Sequence, residues 1–277
     1  MLAPVSLAEE GSSPEMTPTE KMPVLFVGHG NPMNAILDNP WSRGFKALGE
    51  ELPRPKAILC VSAHWYIPGT YLTGNHDPQT IHDFGGFPQE LYEIVYPAPG
   101  DPGLASRVSE MLAPWKASPR SDWGLDHGTW TVLRHMWPSA EIPVVQLSID
   151  GFAGPQQHLK IGKALAPLRS EGVLVLGSGN LVHNLRSALQ QMRVSKPELE
   201  PWAEEFDERV SSALESHDES KLTHACEDRL GKIAHPSVDH YLPILYAAGA
   251  AGRGAQISFP LEGFDLGSVS MRAVLFQ

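Results

Sequence analysis

The run Pro23-Val24-Leu25-Phe26-Val27-Gly28-His29-Gly30-Asn31-Pro32 decides how the rest of this chain reads. An apolar stretch bounded by Gly and Pro predicts a buried strand, and this one ends on a histidine whose flanking glycines keep side chains clear of the ring. Alone, a Gly-His-Gly turn after a strand reads equally as a plain loop or as a ligand site. What separates the two is whether other strands end the same way.

They do. Ala57-Ile58-Leu59-Cys60-Val61-Ser62-Ala63-His64-Trp65 is a second apolar run closing on a histidine. Val173-Leu174-Val175-Leu176 leads through Gly177-Ser178-Gly179-Asn180 to His183, and Ile142–Ile149 supplies another strand without a histidine. Between them lie helical patterns at Trp41–Leu52, at Leu104–Leu112 opened by Asp101-Pro102, at Thr131–Met136 and at Gln156–Arg169. Further helices are predicted at Trp202–Glu215 and at Tyr241–Ala250, with Ser237 or Asp239 available as the cap of the last. Strands at 256–260 and 268–276 finish the chain. This alternation predicts one α/β domain over residues 23–277, a mostly parallel central sheet flanked by helices, with residues 1–22 as a disordered tail.

In a parallel sheet all carboxyl ends fall on one edge, and ligand sites in open α/β sheets form there. His29, His64 and His183 thereby become a spatial cluster although they are distant in sequence. Neutral imidazole suits Zn, Fe or Cu, and two or three protein ligands with open positions make a catalytic site. His240, at the start of the 241–250 helix, is placed by no such rule and reads as a capping or surface residue. His76, His82, His135, His158, His217, His224 and His235 fall in loops or polar helical faces, where solvated or structural roles are the default. His82 stands slightly apart, because Ile81-His82-Asp83-Phe84-Gly85-Gly86-Phe87-Pro88 belongs to a long Gly- and aromatic-rich loop over 67–100 suited to form a wall or lid.

Other chemistries are poorly served. Lys+Arg 21 against Asp+Glu 32 gives a formal charge of −11, which disfavours nucleic acid and anionic membrane surfaces. No apolar run approaches the length of a membrane span. The first residues do not resemble a secretion signal, and Cys60 and Cys226 do not suggest a disulfide framework; a cytoplasmic setting is expected. Gly177-Ser178-Gly179 lacks the nucleophile-elbow pattern, and no phosphate-binding glycine loop is present.

Six motifs occur in order: Gly28-His29-Gly30-Asn31-Pro32-Met33, Ser62-Ala63-His64-Trp65, Ile81–Pro88, Asp126-His127-Gly128, Gly177-Ser178-Gly179-Asn180 with His183-Asn184-Leu185, and His240-Tyr241-Leu242-Pro243. Together they closely resemble the class III extradiol ring-cleaving dioxygenases of the DOPA 4,5-dioxygenase type, over residues 22 to 277. The resemblance implies a single mononuclear non-haem metal, Fe(II) for activity and often Zn(II) in recovered protein, with O2 as co-substrate and a small aromatic diol, DOPA-like or caffeate-like, as substrate. It implies His29, His64 and His240 as metal ligands, His183 as acid-base catalyst or additional ligand, and His127 as a second pocket histidine that bonds a substrate hydroxyl or oxygen.

Better-known class III enzymes complete their ligand face with a glutamate, where this chain has His240. A neutral third ligand leaves the metal more positive and makes zinc a reasonable occupant. Two other readings therefore stand beside the dioxygenase: a zinc hydrolase using a carboxylate base such as Asp83 or Asp126, and a metal-binding protein without catalysis.

Overall fold

The computed structural model describes residues 21–193 and 197–277. Its strands are β1 (Val24–Gly28), β2 (Ala57–Ile67), β3 (Tyr71–Thr73), β4 (Ser118–Arg120), β5 (Val144–Asp150), β6 (Val173–Gly179), β7 (Ile257–Leu261), β8 (Phe264–Asp265), β9 (Val269–Ser270) and β10 (Ala273–Phe276). Eight of them form one sheet in the order β4-β3-β5-β2-β6-β1-β10-β7, and β8 pairs with β9 in a separate small hairpin. The centre, β5-β2-β6-β1, is parallel throughout, while β10 and β7 add antiparallel at one side and β3 adds antiparallel to β5 at the other. The expected α/β architecture is present.

Strand periodicity explains why both faces are covered. In β1, Val24 and Phe26 enter one hydrophobic cluster while Leu25 and Val27 enter the other. Leu59 and Cys60, and Val175 and Leu176, split in the same way. Continuous apolar runs are what a strand needs when helices pack on both sides of its sheet. The described chain joins this core at Met22, fully buried with its N–H donated to the Arg169 carbonyl at 2.9 Å, one residue before the expected domain boundary at 23. Residues 1–20 of the expected tail lie outside the described residues.

Several boundaries differ from expectation for identifiable reasons. The helix expected from Thr131 starts at His127, because the Asp126 side chain caps it by accepting from Thr129 N. His64 lies inside β2 rather than beyond it. There β2 advances from Val61 to Tyr66 while β5 advances only from Leu147 to Ile149, and this bulge aims the imidazole toward the sheet edge. The 268–276 strand is two elements, β9 and β10; between them Arg272 turns aside to bind buried Asp207, which also accepts from Ser270 Oγ. The helix Leu242–Ala251 has no side-chain cap, since Asp239 is occupied by His240.

Glycine makes the site edge possible at one close approach. A Cβ on Gly179, the last residue of β6, would stand 2.2 Å from the His240 carbonyl oxygen, which also accepts from Asn180 N at 2.9 Å. This contact sets the His240 turn against the strand ends. Gly179→Ala is expected to cost about 1–3 kcal/mol by forcing the turn away. Urea denaturation checks the stability, and the same sample should bind metal less tightly; unchanged stability and affinity would contradict the role given to this contact.

Candidate metal centre

Five imidazoles meet at this edge, those of His29, His64, His127, His183 and His240. His29 follows β1, with its ring centroid 5.0 Å from His64, 5.6 Å from His127 and 5.2 Å from His240. Ligand-type nitrogens of His29, His64 and His127 all lie within 4.8 Å of one another. His64 and His240 are 5.0 Å apart by centroid, and the His183 ring stacks on His240 at 3.6 Å with planes 5° apart. His240, which spacing alone left as a surface or capping residue, is 6% exposed and inside the cluster.

The ring nitrogens are not equivalent. Ser178 Oγ donates to the Gly128 carbonyl at 2.5 Å, so its lone pair must accept from His29 Nδ1, 3.0 Å away. His64 Nδ1 lies 3.1 Å from Asp83 Oδ2, and His240 Nδ1 lies 2.5 Å from Asp239 Oδ2, whose other oxygen accepts from Ser237 Oγ. A carboxylate only accepts, so these networks assign the proton to Nδ1 in all three rings. Nε2 is left as a bare lone pair, the tautomer that metal ligation requires, with an acceptor behind each ring.

Two such lone pairs, His64 Nε2 and His29 Nε2, face each other at 3.1 Å. Two acceptors at that distance repel unless a proton or a cation lies between them. Burial, then the neighbouring His64 and His240, hold the His29 pKa well below the usual imidazole value; burial and His183 do the same to His240. For His64, burial acts in the same direction but is outweighed by the Asp83 hydrogen bond and the Asp126 and Asp239 charges, so its pKa is raised. Without a cation, His64 is the ring that takes the proton and donates it to His29. A divalent metal satisfies the same lone pairs, and the all-nitrogen donor set backed by carboxylates fits one.

Asp83, in the Gly- and aromatic-rich loop, joins two of the rings. Burial opposes its charge, but the His127 and His64 rings beside it prevail and hold its carboxyl well below the usual range. The His127 backbone N–H donates to Asp83 Oδ1 at 2.9 Å. Its ring Nδ1 is 3.0 Å from the same oxygen but out of line, leaving that buried atom without a directed hydrogen bond. Burial, then His64, lowers the His127 pKa to about 4. Asp126 is fully buried behind the cluster, accepting from Ser62 Oγ at 2.6 Å and from Gln146 Nε2, and burial pushes it up to about 6. His183 is fixed by its backbone, N–H to the Ala234 carbonyl at 3.1 Å, and burial with nearby His235 lowers its pKa to about 4.

His64, His127, His183 and His240 open onto a cavity of about 500 Å³. Part of its wall is the expected loop, at Asp83–Phe87, and part is the turn after β1, at Gly30–Pro32. The rest comes from elements that the sequence did not mark: the helix Leu185–Gln191, with Met192 after it, and the β8–β9 hairpin around Asp265 and Leu266. Their signal was an apolar spacing, Leu185, Leu189 and Met192, on an otherwise polar helix. His82 is not in the cluster; it bonds the Ile94 carbonyl at 3.0 Å and braces the loop from behind. His158 and His235 are buried, bonded to Tyr246 Oη and the Leu181 carbonyl, rather than solvated. Cys60 and Cys226 are free thiols. Among the described residues, no helix is long and apolar enough to cross a membrane.

A mostly parallel α/β sheet that gathers buried neutral imidazoles at its carboxyl edge is the arrangement of a metal-dependent enzyme. The chain belongs to the LigB family of extradiol dioxygenases: residues 22–267 match the catalytic LigB subunit of aromatic ring-opening dioxygenase. It is 46% identical to the 4,5-DOPA dioxygenase extradiol of Escherichia coli (strain K12), over 92% of this chain and 94% of that protein. It is 36% identical to the 4,5-DOPA dioxygenase extradiol of Beta vulgaris, over 91% of this chain and 95% of that one. A crystal structure of an uncharacterized Escherichia coli K12 protein superimposes with a TM-score of 0.80 at 41% identity, covering 93% of this chain and 100% of that one.

The depressed imidazoles make the metal-free protein acid-labile. His127, His158, His183 and His235, each lowered to about 4, stay neutral in the fold while the unfolded chain protonates them near 6.5. Their stabilisation is complete above about pH 6.5 and is lost as pH falls toward 4, at up to about 1.4 kcal/mol per pH unit for each group. Asp126 and His64, both shifted upward, oppose this but are fewer. Urea midpoints of the metal-free protein should fall steeply between pH 6.5 and 4; a flat profile would contradict the assigned neutral state.

Proposed function

We propose that the chain opens the aromatic ring of a catechol with O2 at one metal ion held by His29, His64 and His240, with His183 beside the metal and His127 facing the substrate. The observation that supports this reading is that those three rings each turn Nδ1 toward an acceptor, Ser178 Oγ, Asp83 Oδ2 and Asp239 Oδ2, which leaves Nε2 bare. His127 lies within the same nitrogen distances, and its Nδ1 is 3.0 Å from the Asp83 carboxylate that also faces His64. Fe(II) held by these residues would supply Lewis acidity toward the diol and redox chemistry with O2.

The chain's own residues carry the proton steps. His183 is neutral near pH 7, is held face to face with His240 and opens to the cavity; a catechol bound beside it gives up a phenolic proton to its ring. His127, its position fixed by its backbone bond to Asp83, presents its ring to the cavity, where it bonds a substrate hydroxyl. Phe84 packs edge-on against His127 at 5.5 Å and excludes water from that side. The cavity volume suits one small aromatic diol. The names of the relatives, 4,5-DOPA dioxygenase extradiol, support a catechol of DOPA type.

The zinc hydrolase alternative needs a free carboxylate base. Asp83 is committed to His64 and His127, and Asp126 is sealed behind the cluster, so neither is free for that role. The open cavity argues equally against a metal-binding protein without catalysis.

Two measurements follow. His29→Ala, His64→Ala and His240→Ala should each lose metal by elemental analysis while His127→Ala keeps it; loss from His127→Ala with retention in His240→Ala would exchange the two assignments. Iron-loaded protein should consume O2 with DOPA, and His183→Gln should lower kcat by about 10²- to 10⁴-fold with metal content unchanged. No O2 uptake across a panel of catechols would overturn the dioxygenase reading.

A further inference from the structure

The cavity has two chemically distinct ends. At the inner end stand the imidazoles. At the other, Leu185, Leu189 and Met192, spaced i, i+4 and i+7 along one helical face, form an apolar wall with Leu266. Asp265 belongs to that wall, partly buried; burial raises its pKa against a hydrogen bond from the Leu266 backbone that favours the charged form. No salt bridge reaches it among the described residues, and no described residue lining the cavity is Lys or Arg. A carboxylate drawn partly out of water with no cation beside it is costly unless its partner arrives with a ligand.

Its position is fixed by backbone. Asp265 pairs with Val269 in the β8–β9 hairpin, and Val269 bridges to His183. Asp265 therefore stands two strand spacings from His183, roughly 10 Å between backbones. The hairpin turn is tight, with Leu266 at φ 48° and Gly267 at φ 65°, and a Cβ on Gly267 would meet the Glu198 carbonyl at 2.0 Å. The Gly267 carbonyl accepts from Glu200 N at 2.9 Å, so the hairpin is held against the neighbouring segment. A leucine in the left-handed region is uncommon, and here the turn places Leu266 in the cavity wall next to Asp265.

We infer that Asp265 is a specificity-determining residue that binds the ammonium group of a catechol carrying an aminoalkyl side chain, the diol lying at the histidines and the alkyl carbons along Leu185, Leu189 and Leu266. The inference rests on the ring-opening reading for the diol end. It assigns this cavity to catechol amines ahead of catechol acids, for whose carboxylate the described lining offers no cation. An ion pair formed on the apolar wall, with water partly displaced, distinguishes amine from methyl at the same position.

The test uses zinc-loaded protein, which binds a diol without oxidising it, and compares dopamine with 4-ethylcatechol and 3,4-dihydroxyphenylpropionate by calorimetry. Dopamine should bind roughly tenfold or more tightly than 4-ethylcatechol, and the propionate no more tightly than 4-ethylcatechol. In Asp265→Asn the dopamine advantage should collapse to near unity while 4-ethylcatechol affinity stays unchanged. An advantage that persists in Asp265→Asn, or a propionate that outbinds 4-ethylcatechol, overturns the assignment. Failure of the ring-opening reading is seen separately, as absence of O2 uptake by the iron-loaded protein, while these binding ratios remain readable.

Discussion

Two unprotonated imidazole nitrogens held 3.1 Å apart are the constraint on which the site depends. Buried lone pairs at that distance repel, and the repulsion is relieved only by a proton on His64 or by a cation that both nitrogens share. The fold fixes the conflict by holding the opposite side of each ring. Ser178 has already spent its hydroxyl proton on the Gly128 carbonyl, and Asp83 and Asp239 can only accept. Ring orientation and tautomer are thus settled before any metal binds, and a preorganised site of this kind loses little freedom on binding.

The supporting residues also account for how distant segments are drawn together. Gly179 lets the His240 turn approach the end of β6, and Gly128 does the same for the helix bearing His127: a Cβ there would stand 2.6 Å from Ser62 Oγ and 3.0 Å from His64 Cδ2. Asp126 caps that helix and anchors Ser62 and Gln146, so one buried carboxyl joins β2, β5 and the His127 helix. A change at any of these positions reaches the histidine cluster through the placement of the elements that carry the rings.

The sheet was legible in the sequence because buried parallel strands are local, continuous apolar runs; β1, β2 and β6 appear as such, and with them His29, His64 and His183. His240 and His127 were reached only through resemblance of ordered motifs, since a turn after a helix and a short Asp-His-Gly carry no spatial signal of their own. The roles of Ser178, Asp83 and Asp239 as holders of Nδ1 were not legible at all. Ser178 acts on a ring 149 positions away, and Asp239 read more naturally as a helix cap. The cavity wall was partly hidden for the same reason: the loop at 83–87 announced itself by glycines and aromatics, whereas Leu185, Leu189 and the Asp265 hairpin are meaningful only once they face His183. The split of 268–276 into β9 and β10 depends on buried Asp207, a contact 65 residues from Arg272.

The claim that the imidazoles are preset for a metal is tested most directly by the ring nitrogens themselves. Long-range nitrogen–proton correlation spectra of the metal-free protein, recorded well above neutral pH so that His64 is deprotonated, report which nitrogen of each histidine carries the proton. The structure predicts Nδ1–H and bare Nε2 for His29, His64 and His240 together. An Nε2–H tautomer at any of the three would contradict it, because that nitrogen would then face the site as a donor and not as a ligand.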